Sequence, residues 1–106
     1  MLRDLFYEFY ATALYGRAFG LHLKGNYLAA KAVIDRSLKV RPGEVGALAL
    51  KGQIEFELGD WKAAREALST VIADADTHPE RWSGPAMADQ LTRVRYVLAQ
   101  IERRDP

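Results

Sequence analysis

The side chains best suited to do chemistry in this 106-residue chain are few and scattered. His22 and His78 stand far apart with no carboxylate at metal-ligand spacing, and there is no cysteine to supply a thiolate or a zinc site. Asp74, Asp76 and Glu80 form an acidic cluster that lacks the glycine and regular alternation of a calcium loop, so a solvated helix end accounts for it. Gly25 is not followed by the Lys-Ser/Thr of a phosphate loop; Gly16 and Gly20 suggest a small-residue contact face that nothing else in the sequence favours. Arg93, Arg95, Arg103 and Arg104, with Trp82 or Tyr96, admit RNA binding, but a net charge of +1 opposes it and a solvated basic face is expected instead. The chain is thus expected to be no enzyme, and to take no cofactor, metal, small-molecule substrate or nucleic acid.

The bulk numbers agree with a folded binding module. Hydrophobic residues make up 49% and charged residues 27%, the balance of one globular domain spanning residues 1–106. Asp4 and Glu8 interrupt any secretory leader at the N-terminus, and no run approaches the roughly 18 apolar residues that span a bilayer. A cytoplasmic protein without membrane insertion is expected, which the lack of cysteine suits.

The elements that must position any binding residues are legible as an internal repeat. Gly25-Asn26-Tyr27-Leu28-Ala29-Ala30-Lys31 matches Gly59-Asp60-Trp61-Lys62-Ala63-Ala64-Arg65 at an offset of 34, and the same offset carries Leu14 onto Leu48, Arg17 onto Lys51, Ile34 onto Leu68 and Leu38 onto Ile72. A fixed period of that length signals a helical solenoid. Each copy reads as an amphipathic helix, a glycine turn, and a second helix opened by an aromatic. The alanine pairs one turn into each second helix leave room for close helix packing. Helices are expected over about 3–24, 27–40, 45–58, 61–75 and 85–104, with no strand. In the last, Met87, Leu91, Val94, Leu98 and Ile101 form one apolar stripe, with Asp89, Gln90, Arg93, Gln100 and Arg103 around it, as a capping helix requires.

These residues resemble the tetratricopeptide repeat: the 34-residue spacing, the Gly-Asn/Asp-Tyr/Trp turn, the alanine three residues on, and the repeat-ending Pro42. Departures from the pattern are Leu14 and Leu48 for its early Trp, Arg17 and Lys51 for its Leu, and Leu21 and Glu55 for its Tyr, while the small residue survives as Ala18 and Gly52. The second copy has Asp76 where the proline belongs and Pro79 three residues later, which suggests a fourth helix about one turn longer. The resemblance implies an all-α, right-handed solenoid of two helix-turn-helix repeats, 11–44 and 45–78, closed by the capping helix 85–104. Two repeats are fewer than the three or so that usually bury a continuous core, so the capping helix or a partner chain must supply the rest.

The resemblance further implies a scaffold or adaptor whose first helices line a concave, mostly apolar groove for a protein or peptide partner. Carried over one by one, the groove positions are Thr12, Tyr15, Gly16, Phe19 and Leu23, then Ala49, Leu50, Gln53 and Glu57. No Lys or Asn stands among them to clamp a peptide carboxylate. Independently, Leu2, Phe6, Phe9 and Tyr10, with Leu5, Tyr7 and Leu14, surround most of the first helix, so something should cover its outer side. A partner protein, a second copy forming a homodimer, or the capping helix folding back are the candidates; homo-oligomerisation is the alternative function.

Overall fold

The computed structural model describes residues 2–104, and every regular element among them is helical. The order is α1 Leu2–Leu23, α2 Tyr27–Val40, α3 Val45–Glu57, α4 Trp61–Thr77, a 3-10 turn Pro79–Trp82, and α5 Pro85–Arg104. The expected boundaries hold to within two residues, and α4 carries the extension that the missing proline suggested. The helices pack as a solenoid, consecutive elements lying side by side.

The two hairpin turns are built alike. Gly25 and Gly59 adopt φ of 80° and 83°, a left-handed conformation that a side chain disfavours. Around them, Gly25 N–H donates to His22 C=O and Asn26 N–H to Leu21 C=O; Gly59 N–H donates to Phe56 C=O and Asp60 N–H to Glu55 C=O. These paired bonds form the Schellman closure that satisfies the last carbonyls of a helix. Asp60 then caps α4 by accepting from Ala63 N–H at 3.1 Å, and Glu44 caps α3 by accepting from Ala47 N–H at 2.6 Å.

Two cores result, and α3 contributes to both. Leu14 and Ala18 of α1, Ala30, Val33 and Ile34 of α2, and Ala47, Leu50 and Ile54 of α3 form the first. Ala49 of α3, Ala64, Leu68, Val71 and Ala75 of α4, Trp82, and Val94 and Ile101 of α5 form the second. The fifth helix therefore supplies the burial that two repeats lack, with Met87, Leu91 and Leu98 packed at its edge. Of each alanine pair only the second member, Ala30 and Ala64, is buried. A Cβ on Gly52 would lie 2.3 Å from Leu68 Cδ2, so the smallest side chain is what lets α3 and α4 approach.

Glu55 stands where the repeat pattern has an aromatic, and it is buried between α2 and α3. Lys31 of α2 lies 3.4 Å from its carboxylate and Lys51 3.8 Å, and Lys51 also reaches Asp35 of α2. Opposite charge replaces ring packing in joining the repeats. At the first turn, the His22 ring lies 5.6 Å from that of Tyr27, with Nδ1 buried and without a hydrogen-bond partner. Burial pushes the His22 pKa below the usual 6.5, with Glu57 pulling up and Arg93 pushing down.

Gly52→Ala is expected to destabilise the fold by about 1–3 kcal/mol through overpacking, with part of the loss recovered by adding Leu68→Val; urea denaturation of the four-member cycle measures it. For His22, a base with a depressed folded pKa binds its proton more readily in the unfolded chain. Its contribution is full above about pH 6.5 and is lost as the pH falls below that. The urea midpoint should drop as the pH is lowered below about 6.5, and drop less in His22→Phe.

Candidate interaction surface

The first helices of the two repeats and the capping helix come together along one face. Gln90 of α5 is buried, and its Nε2 donates at 3.3 Å to both the Tyr15 hydroxyl of α1 and the Gly46 carbonyl of α3. One amide thus ties three helices at a single level. Burial raises the Tyr15 pKa above 10, against the opposing bond from Gln90, so the phenol stays neutral. Beside this contact is a recess of about 250 Å³ whose lining includes Thr12, Tyr15, Ser37, Arg41, Met87 and Gln90. Small-ligand pockets run roughly 300–1,000 Å³, so this recess has the size of a seat for one side chain.

The expected groove residues divide in two. Tyr15 and Phe19 stack with ring centroids 6.4 Å apart and planes at 17°, forming an apolar shelf, and Leu23 lies bare one turn further along α1. Thr12 and Gly16 are exposed, the Thr12 hydroxyl donating to the Glu8 carbonyl. Gln53 is half-buried, its amide donating to the Ala49 carbonyl, and Glu57 is exposed. Ala49 and Leu50, in contrast, are 0% and 1% exposed and belong to the two cores, so neither can touch a ligand. The reason is that α3 is packed by α2 on one side and by α4 and α5 on others, leaving it only a narrow open strip.

Sequence reasoning placed Gln90 on the wet side of α5 and gave no account of the recess. Position offered a signal: Gln90 lies three residues after Met87 and four before Val94, at the edge of the apolar stripe. Trp82 is buried and its indole N–H donates to Asp74 Oδ2 at 2.9 Å. It has no open face for a nucleobase. Asp74 is held as well by Arg81 at 2.8 Å, and among the described residues no three His, Asp or Glu side chains group as a metal site. Of the basic residues of α5, Arg93 pairs with Asp89 at 2.5 Å, and Arg104 lies over the rings of Phe56 and Trp61. No helix among the described residues is long and apolar enough to cross a membrane.

The start of α1 is bare. Near Arg41, which lies 3.6 Å from Glu8, α2 has ended, so the first turns of α1 overhang the hairpin. Leu2, Leu5, Phe6 and Phe9 are 85%, 63%, 68% and 79% exposed. Tyr10 is held to the hairpin, its hydroxyl accepting from Arg36 Nη2 at 2.7 Å. The capping helix meets α1 at Tyr15, through Gln90, and does not cover Leu2, Leu5, Phe6 or Phe9; the elements packed along α1 are α2 and α3.

Comparison with curated proteins and with solved structures finds no match. The family model for the tetratricopeptide repeat matches residues 21–101, running from the end of α1 into α5. That span takes in both glycine turns, the shared wall of α3 and the helix that closes the second core. The chain belongs to the tetratricopeptide repeat family.

Proposed function

We propose that the chain is a non-catalytic adaptor that takes a segment of a partner protein along the face shared by α1, α3 and α5. The observation that carries this reading is the stacked Tyr15–Phe19 shelf beside a side-chain-sized recess walled by Gln90. An apolar residue of the partner would enter the recess and a second would lie on Phe19 and Leu23, gaining roughly 25 cal/mol for each Å² of apolar surface covered. Gln53 and Glu57 supply the polar margin of this surface in place of Ala49 and Leu50. With Arg41 and Glu44 at the recess and Glu57 at the other end, the face offers charges of both signs, which favours a mixed amphipathic segment over a purely apolar one. The absence of cysteine supports a cytoplasmic setting, and the pairing of Arg93 and the ring contacts of Arg104, with the buried Trp82, speak for protein over nucleic acid as partner.

A second reading, self-association through Leu2, Phe6 and Phe9, is favoured by the bare overhang of α1. It uses a different side of α1 and is compatible with an open groove.

Selection of peptides from a random display library on the purified chain tests the groove. The selected peptides should bind Phe19→Glu at least tenfold more weakly, which is about 1.4 kcal/mol, and bind Tyr96→Glu, altered at an exposed site on α5, as they bind the parent. Equal affinity for Phe19→Glu, with the helical signal intact, would place binding elsewhere and remove the proposal.

A further inference from the structure

The outer side of α1 is patterned along its length as well as around it. At about 100° per residue, Leu2, Leu5, Phe6, Phe9, Ala13, Gly16 and Gly20 fall within one arc roughly 100° wide. Its centre lies opposite Ala18, which is buried against α2. This stripe carries no charged side chain. Its first half is large and bare, whereas in its second half a Cβ added to Gly16 or Gly20 would meet nothing within 4 Å. A small-residue face with no evident purpose in the sequence thus continues a bare aromatic one.

We infer that this stripe seats the same stripe of a second copy, the two α1 helices running antiparallel about a two-fold axis. The inference rests on the self-association reading above and specifies its geometry. Antiparallel pairing sets the large half of each helix against the small half of the other: Leu2 opposite Gly20, Phe6 opposite Gly16, Phe9 opposite Ala13, each contact made twice. Parallel pairing would oppose ring to ring at one end and leave a gap between glycines at the other. Only the antiparallel arrangement lets the helices approach closely along their whole length, as ridge-into-groove packing requires.

Area favours a second copy as the occupant. Leu2, Leu5, Phe6 and Phe9, at the exposures given above, leave on the order of 500 Å² of apolar surface bare, at the upper end of what monomers carry. Two copies covering one another would bury more than about 1,000 Å² once the Ala13–Gly20 half is included, which reaches the range of specific interfaces. The way is also clear, because α2 lies on the opposite side of α1 and the Tyr15–Phe19 shelf flanks the stripe without belonging to it. The assembly would be four layers, α2–α1–α1–α2, with both grooves open.

The native chain has no cysteine, so single-cysteine variants report the pairing directly. Light scattering on the full chain at tens of micromolar should give the mass of a dimer. An oxidised equimolar mixture of Leu2→Cys and Gly20→Cys should yield the mixed disulfide, with little dimer from either alone. Gly16→Leu, at an exposed position where an added Cβ meets nothing within 4 Å, should weaken dimerisation at least tenfold while leaving the circular dichroism of the dilute protein unchanged. A native chain that stays monomeric at about 100 μM would overturn self-association and this seam together. A native dimer that links Leu2→Cys to itself, or that tolerates Gly16→Leu, would leave self-association standing and overturn the antiparallel seam.

Discussion

The whole molecule depends on α3 being packed from more than one side. A helix in that position has little room for bulk, and α3 meets the demand with Gly46, Ala47, Ala49 and Gly52 among its buried residues. Gly52 is the tightest point, because Leu68 occupies the space a Cβ would need. Through this wall the two hairpins share their burial: Leu50 and Ile54 face the first core while Ala49 faces the second. Neither hairpin could hide its apolar stripe alone, which is the general condition of stacked repeats.

The same crowding shapes the binding surface. A central helix enclosed this way has only an edge left to offer a partner, so α3 contributes the polar Gln53 and Glu57 and withholds its apolar residues. The apolar part of the face comes from α1, which lies at the end of the stack and is less enclosed. The fifth helix completes the arrangement by two distinct means. Val94 and Ile101 close the second core, and Gln90 reaches back to Tyr15 and Gly46, fixing the level at which the recess forms. A buried amide bonded to two helices fixes their register more sharply than apolar contact does, since a displaced donor loses its partners.

The departures from the family pattern show how one architecture tolerates different chemistry at equivalent places. Glu55, in place of an aromatic, is answered by Lys31 and Lys51, so the joint between repeats is ionic where ring packing would have served. Arg104 covers the rings of Phe56 and Trp61 at the far end of the stack, turning a residue of a basic cluster into part of the packing. At the opposite end Arg3 lies over the Tyr7 ring and Arg36 holds Tyr10, while Leu2, Leu5, Phe6 and Phe9 remain open.

What the sequence determined by itself was everything local and periodic. The 34-residue offset located both hairpins, because Gly25 and Gly59 occupy a backbone conformation that other residues disfavour and because helix period shows in the spacing of apolar side chains. It also exposed the excess of aromatics on α1, the late end of α4 and the capping role of α5. Only the tertiary structure decided which side of each helix is open. Ala49 and Leu50 were drawn into the cores, Trp82 was buried against Asp74, and Gln90 was moved from solvent to a contact joining three helices. Periodicity says that a helix has an apolar side. How many neighbours press on it, and from which directions, is set by contacts between residues distant in the chain.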